Sequence, residues 1–599
     1  MKKRFIYIAI SCVLVVSSCN DLSNNLQNPN WPLTTQGNLD LVLNSVQLNF
    51  TNFYWDMSNI GTTLTRQEIM YGPLNRNAYN AQSYDGAWSD AYQGVLINAQ
   101  TIIAQGAAQK KYQHVAIAQI LQAYTLMTLV DFFGDVPYSK AFGGAAITNP
   151  TVDPGSSVYT VAKTSLDSAI ANLAKTSATL PATDVFYKGS TTNWVALANT
   201  LKLKYYLNVA QAPGADKSSI ATSMAAILAG GNVIDDPAGG KDFQFAYGTS
   251  YTNPNSRHPK FNNNYNSSGA SDFIGNWFMY VAVAEKTVIN GSTVDDPRRR
   301  FYFYRQNGNP IGTTSIPQTA LPCETQVAPT WYSNYSYWYP SSGMPFCQLG
   351  NVGVSVATGY WGRDHGDNSG IPPDGQLRTT YGVYPAGGLY DNSTFVPISG
   401  GGSINLGGQG RGIAPIWLSS YTEFLKAEAA MTLGVNLSSS SSSGIDAPSS
   451  FLAGVKNSVE KVVAFGSVAN VPIPAARVTA LNAAAPAVGA KATYYAWVTN
   501  WFAAAPAPAL GTPGCQLDIS SREFYIALYG NGIEAYNLYR RTGYPSGMQY
   551  LLAHDNTDTS DPYIRSAYYP AAAVNRNSAI TQKTGVDTKV FWDPGLPLY

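Results

Sequence analysis

The pattern that most constrains how this chain can fold is a pair of long, apolar-periodic runs set back to back. Trp88 to Gln105 and Tyr112 to Phe133 carry apolar residues at spacings of three and four, in the second run Val115, Ile117, Ile120, Leu121, Tyr124, Leu126, Leu129 and Val130. At about 3.6 residues per turn such spacing makes one apolar face per helix, and the short turn from Gly106 to Lys111 places the two side by side and antiparallel. Further helices are expected at Val158 to Leu173, Thr192 to Ala210, Ile220 to Ala229 and Phe273 to Val288. Ser420-x-x-Glu423 and Ser520-x-x-Glu523 have the form of capping boxes, opening helices to Leu433 and to about Arg540. The helices recur in pairs without a fixed period, so the expected fold class is mainly α, a degenerate helical-repeat scaffold.

Between Asp235 and Gly412 that periodicity fades. Gly, Pro, Asn and Tyr accumulate instead, as in Asn253-Pro254-Asn255, Asn262 to Asn264, Trp331 to Pro340, Ile371-Pro372-Pro373 and Pro385 to Gly388. So long an irregular region inside a compact protein points to function, because ordering a loop costs entropy that packing or ligand contact must offset. The expected organisation is an N-terminal helical part (31–234), a loop-rich, ligand-facing insertion (235–412) and a C-terminal helical part (413–599). Ser438 to Ser443 and Ala503 to Pro513 read as surface connectors.

The N-terminus reads as an export signal. Lys2, Lys3 and Arg4 precede an apolar run, Phe5 to Val16, and Val16-Ser17-Ser18-Cys19 follows. The run is shorter than the roughly 20 residues needed to span a bilayer, and small residues before a cysteine resemble a bacterial lipobox. Residues 1–18 are therefore expected to leave as a lipoprotein signal peptide, Cys19 to carry lipid, and residues 19–30 to form a tether. No later stretch is expected to span a membrane. Of the remaining cysteines, either Cys323 pairs with Cys347 and leaves Cys515 free, or all three are thiols.

Composition excludes further classes. The chain has 37 basic and 36 acidic residues, 12% charged in all, against about 25% in an average globular protein. A net charge of +1 gives no field for nucleic acid or an anionic bilayer, and after the leader no basic run is longer than Arg298-Arg299-Arg300. Four histidines, at 114, 258, 365 and 554, show no zinc spacing, and no nucleophile elbow, phosphate loop or dinucleotide motif is present. No metal or cofactor is expected. Asp131 with Asp135, or Asp364 with Asp367, could be drawn as a glycosidase pair, but caps and turns are the preferred reading. Asp555-x-x-Asp558-x-x-Asp561 lacks the spacing of a calcium loop and reads as a solvated segment.

The binding signal is stronger. Trp331-Tyr332-Ser333-Asn334-Tyr335-Ser336-Tyr337-Trp338-Tyr339-Pro340 places six aromatics in ten residues. Flat rings stack on the apolar faces of pyranose rings or on peptide side chains, while phenol, indole and amide groups supply hydrogen bonds. A ligand platform is preferred over a hairpin with half its rings in the core. Phe53-Tyr54-Trp55 with Arg66, Tyr71, Arg76 and Tyr79 either lines the same cleft or belongs to the core; Arg66 and Tyr71 are the ligand candidates from that group.

A set of ordered motifs resembles the SusD/RagB family of outer-membrane lipoproteins, in its SusD-like nutrient-binding branch. They begin at Cys19 and run through Trp88-x-x-x-Tyr92 to Asn98, Val130-Asp131-Phe132-Phe133-Gly134-Asp135-Val136-Pro137-Tyr138-Ser139, Tyr187-x-Gly189, and Trp194-x-x-x-Ala198-Asn199-Thr200-Leu201-Lys202-Leu203-Lys204. They continue in Asp295-Asp296-Pro297-Arg298, Gly362-Arg363-Asp364-His365-Gly366, Gly382-Val383-Tyr384-Pro385-Ala386-Gly387-Gly388 and Ser420-Tyr421-x-Glu423-Phe424-Leu425-x-Ala427-Glu428-Ala429. Gly530-Asn531-Gly532-Ile533-Glu534-Ala535, Arg540-Arg541-Thr542-Gly543-Tyr544-Pro545 and Phe591-Trp592-Asp593 close the series.

The resemblance implies a tetratricopeptide-like helical scaffold with a loop-rich face. It implies a non-enzymatic protein that captures oligosaccharide or peptide and acts as lid for a SusC/RagA-like TonB-dependent transporter, held at the outer membrane by its lipid. An oligopeptide ligand is the rival within that class, and a surface glycoside hydrolase the rival outside it. Most of the motif residues read as scaffold: Asn199 and Glu428 are expected to bond neighbouring elements, Gly134 to end a helix, and Asp296-Pro297-Arg298 to form a turn with an internal ion pair.

Overall fold

A computed structural model describes residues 38–72, 74–238, 240–286, 294–308, 337, 359–367, 374–435, 446–551 and 562–598. The leader, Cys19, Cys323, Cys347, the serine run and the Asp555 to Asp561 segment lie outside the described residues. The fold is mainly α. In the N-terminal part α1 spans Leu39–Leu64, opened by Asn38, whose side chain accepts from the Asp40 amide. A helical run follows through Asp85–Ser89 and a π-turn, Asp90–Leu96, into α2, Ile97–Gly106. Then come α3, Tyr112–Phe133, α4, Gly155–Leu173, α5, Thr191–Val209, and α6, Lys217–Ala229. The expected antiparallel pair is α2 and α3, whose joining turn is closed by Lys111 N donating to Gly106 O at 2.8 Å.

Of α3, every residue from Gln113 to Phe133 is buried. At 22 residues, with a mean hydropathy of 1.4 in an 18-residue window, it is also long and apolar enough to cross a membrane. That corrects the expectation that no stretch beyond the leader meets this test. Its apolar surface is taken up instead by helices on all sides, as in the central helix of a soluble core.

The loop-rich region is threaded by short elements. β1, Phe243–Ala246, pairs antiparallel with β4, Ile413–Trp417, and β2, Phe303–Tyr304, with β3, Thr380–Tyr381. The helix expected from Phe273 begins later, as Asn276–Met279 followed by a π-turn, Tyr280–Ala284. The C-terminal part holds α7, Ser419–Leu433, α8, Ala447–Val468, α9, Lys491–Ala504, α10, Gln516–Ala527, and α11, Gly532–Thr542.

Both capping-box expectations are overturned. Ser420 lies inside α7, which starts at Ser419 without a side-chain cap, and Glu423 instead pairs with Lys426 at 2.9 Å. Ser520 is in the middle of α10, and the helix expected to reach Arg540 breaks at Gly530 (φ 95°), after which Asn531 caps α11 by accepting from Glu534 N at 3.1 Å. The break lets α11 lie directly on α1. A Cβ on Gly61 would fall 2.2 Å from Gly532 O, so the two backbones touch and only glycine is tolerated there.

Charges hold this helical body together from inside. Asp131 of α3 accepts from Asn537 Nδ2 at 2.8 Å, from Trp592 Nε1 at 3.0 Å and from the Tyr159 hydroxyl, and pairs with Lys204 at 3.2 Å. Lys204 also meets Glu534 at 2.6 Å. One carboxylate thus joins α3, α4, α5, α11 and the C-terminal segment. The motif residues expected to be scaffold behave so: Asn199 donates to Asn232 O at 3.0 Å, Glu428 takes a two-pronged bond from Arg541 at 2.6 and 2.7 Å, and Arg298 forks onto Asp296 at 3.0 and 2.7 Å. Buried charges cost desolvation unless each is paired and hydrogen-bonded, and here they are.

Candidate functional site

Of the aromatic segment from Trp331 to Tyr339, only Tyr337 is described; Trp331, Tyr332, Asn334, Tyr335, Trp338 and Tyr339 lie outside the described residues. Tyr337 sits on α9. Trp497 and Trp501, four residues apart, project from the same side of that helix and stack with centroids 4.7 Å apart and planes 30° apart. Trp501 Nε1 donates to the Tyr337 hydroxyl at 3.0 Å. The Tyr337 ring lies flat on Gly514, where φ is 77° and an added Cβ would come within 2.6 Å of the ring. Burial pushes its phenol above the usual tyrosine value, and the bond from Trp501 partly offsets that. Trp501 is largely covered, Trp497 half-buried, and Tyr337 36% exposed, so the three form a step from core to surface.

The helix carrying this step is anchored from below. Tyr494, one turn earlier, has its ring 6.2 Å from that of Trp497, and its hydroxyl lies 3.0 Å from the Asp296 carboxylate and 2.9 Å from that of Glu523. Arg298 donates to the same hydroxyl at 3.1 Å and to Glu523 at 2.8 Å, and Lys286 completes the network, 3.1 Å from Glu523. Arg298 and Lys286 keep the Asp296 carboxyl well below the usual range against the burial that would raise it. A surface aromatic whose helix is pinned this way loses little conformational freedom on meeting a ligand.

A second aromatic group is formed where Tyr71 was expected. Tyr71 is 47% exposed, donates to Ser271 O at 2.6 Å and packs edge-on against Phe273 at 6.1 Å. The Arg363 guanidinium lies 5.6 Å from the Tyr71 centroid and 4.5 Å from that of Phe273, fixed by a fork onto Asp374. Arg66 is not part of this face. It is 3% exposed, with φ 63°, and its guanidinium donates to the carbonyls of Leu64 and Gln549 (2.9 Å) beneath Tyr563, so the structure places it in the interior, where it secures the end of α1. Phe53 and Tyr79 are core, Arg76 is exposed, and Trp55 is half-buried against His258 and Lys260.

The groups considered for catalysis are committed elsewhere. Asp131 is the scaffold hub and not a cap, while Asp135 Oδ1 accepts from the first amide of α4 at 2.8 Å. Asp364 accepts from Asn276 at 2.9 Å and from Gln549 at 3.1 Å. Burial, with Lys260 next to it, pushes His258 down to about 3, and burial with Arg66 holds His365 well below its usual value. Among the described residues no cluster of three or more His, Cys, Asp or Glu is arranged for a metal. Cys515 is a free, buried thiol donating to Ala509 O at 3.2 Å.

Trp497 and Trp501 were not singled out from sequence. The signal was there in Tyr494-Tyr495-Ala496-Trp497-Val498-Thr499-Asn500-Trp501-Phe502, an aromatic density comparable to the Trp331 segment, but its rings face several sides of a helix that was not foreseen.

A mainly helical body thus carries a pinned, neutral aromatic step and a loop-rich flank. The chain belongs to the SusD-like family described as starch-binding and associating with the outer membrane, whose model matches residues 32–338. Members of this family are binding proteins that in general take up glycans at the cell surface. The fold is shared with a SusD/RagB family protein of Bacteroides thetaiotaomicron (TM-score 0.60, 18% identity, covering 94% of this chain and 100% of that one). It is shared also with a chitin-binding SusD homolog of Flavobacterium johnsoniae (TM-score 0.55, 18% identity, 93% and 100%). No curated protein matches the chain.

Proposed function

We propose that this protein is a lipid-anchored, cell-surface glycan receptor that serves as lid for a SusC/RagA-like TonB-dependent transporter. The observation that carries the glycan reading is the Trp497–Trp501–Tyr337 step, in which the half-buried Trp497 and the exposed Tyr337 offer flat apolar area and a phenol edge, both held in place by the largely covered Trp501. Trp331, Tyr332, Asn334, Tyr335, Trp338 and Tyr339 belong to the same proposed platform by their nearness in sequence to Tyr337, and Tyr71 marks its second exposed aromatic point. Cys19 would carry the lipid that keeps the receptor at the outer membrane. The mechanism is capture without bond cleavage: rings order a neutral oligosaccharide between lid and barrel, and the lid then closes as a hinged body. The chitin-binding homolog makes chitooligosaccharide the first ligand to try beside maltooligosaccharide.

The test is titration of the mature protein with these two glycans and with a mixed oligopeptide pool, following tryptophan fluorescence. Saturable binding of a glycan, weakened in Trp501→Ala, is expected. Binding of peptide alone would replace the ligand class. Recovery of the protein from solubilised outer membrane without a large barrel would overturn the transporter partnership.

A further inference from the structure

A separate cavity of about 160 Å³, room for about five waters, opens between the end of α5, the start of α6, α7 and the loop 505–514. One wall is apolar, from Met431, Leu510 and Leu517. The charged lining is Lys217 at the rim with Glu428 and Arg541 deeper in. Glu428 and Arg541 are buried and cancel each other through their two-pronged bond, and Arg541 Nη1 is further tied to Asn208 at 2.8 Å. Lys217 is exposed and has no acidic partner among the described residues, so the lining they form carries one uncompensated positive charge against an apolar wall.

That combination selects among ligands by elimination. With Glu428 and Arg541 neutralising each other, the charge left to meet a ligand is that of Lys217, which disfavours a cation and balances one negative charge but not two. A purely apolar molecule would strip water from the lysine without replacing it. A monocarboxylate with a compact branched aliphatic body answers both halves of the lining, its charge at Lys217 and its body on Met431, Leu510 and Leu517. We propose that this pocket is a binding site for small branched-chain carboxylates, distinct from the glycan platform and independent of whether that platform binds sugar.

The test uses 4-methylpentanoate and its uncharged amide as probes, titrated into the mature protein by calorimetry and by saturation-transfer NMR. The acid is expected to bind at least about tenfold tighter than the amide, since a charge-assisted contact is being compared with a neutral one. Lys217→Met, on the exposed first turn of α6, is expected to bring acid and amide to equal affinity while leaving glycan affinity and thermal midpoint unchanged. Leu510→Asp, exposed in its loop, is expected to abolish binding of the acid. Equal binding of acid and amide to the natural protein, an acid preference that survives Lys217→Met, or no binding at about 20 mM, far above a useful affinity, would each overturn the proposal.

Discussion

The interior of this protein is more highly charged than one of its largest surface stretches. Asp131, Lys204 and Glu534 lie buried at the junction of five elements, and Arg298, Asp296, Glu523 and Lys286 form a second buried network under α9. Between Lys461 and Asp518, by contrast, the only charged residues are Arg477 and Lys491, and Val468, Val478, Val488 and Leu510 are more than 40% exposed. Charge here is used as an internal latch and not as a solvating coat. A chain with half the usual charged fraction can spare its surface for neutral contact because the few charges it has are placed where each one orders several neighbours.

The latch half of this comparison makes the largest prediction. Asp131→Ala leaves Asn537, Tyr159 and Trp592 without their shared acceptor and Lys204 with one acid in place of two. The expected loss is about 3–5 kcal/mol, read as the shift of the urea midpoint. A loss below about 1 kcal/mol would place Asp131 among surface-type pairs and end the latch reading. Glycan affinity of the folded fraction is expected to stay as it was.

The surface half is probed at α9. Trp501→Ala removes the middle of the aromatic step and is expected to weaken glycan binding by about 1–3 kcal/mol, the range of a central aromatic anchor. Gly514→Ala acts one layer out. It puts a Cβ at φ 77° and into the Tyr337 ring, so a cost of about 1–2 kcal/mol in stability is expected, together with a smaller loss of affinity as Tyr337 is displaced. If Gly514→Ala bound glycan more weakly than Trp501→Ala, Tyr337 and not the tryptophan pair would be the principal contact.

How much of this was legible in sequence follows the range of the interactions. The ends of α3 could be read at Tyr112 and Phe133 because Lys111 and Gly134 bound the apolar run locally. The two Ser-x-x-Glu motifs mislead because Glu423 turns to Lys426 and Glu523 to Arg298, 225 residues earlier in the chain, and nothing in four consecutive residues distinguishes a cap from a buried ion pair. Arg66 misled for a related reason. It sits among exposed-looking Tyr and Thr, but its left-handed backbone turns the guanidinium inward onto Gln549. The aromatic step is half legible: Tyr337 lies in an aromatic-dense segment, while Trp497 and Trp501 sit on a helix too rich in Ala, Thr and Tyr to show one apolar face.

One pair of acids breaks the pattern of compensated interior charge. Asp56 on α1 is largely buried and its carboxyl is pushed up to about 6, first by burial and then by the charge of Asp90. Its folded-state value lies above its unfolded one, so the unfolded chain releases this proton first. Stability is therefore lost as pH rises from about 4 through 6, the opposite of a salt-bridged carboxylate. Asp56→Asn is expected to remove that slope and to raise stability at pH 7 by about 1–2 kcal/mol, after discounting for the part of the group that remains hydrated. Thermal midpoints recorded from pH 4 to 8 check it, and parallel curves for the two proteins would show that Asp56 does not titrate in this window.

Salt is expected to have the smallest effect of all, on either half of the molecule. Raising ionic strength from about 0.1 M to about 1 M shortens the screening length from about 10 Å to about 3 Å. The Asp131 and Arg298 networks are buried and close-packed, so they are screened little. The Trp497–Trp501–Tyr337 step has no charge of its own, and a neutral glycan stacked on it gives salt nothing to screen. Glycan affinity is accordingly expected to change by less than about twofold across this range, whereas a ligand held by exposed ionic contacts would weaken many times over. A steep fall in affinity with salt would mean that exposed charges such as Arg76 hold the ligand, and would move the binding face away from the aromatic step.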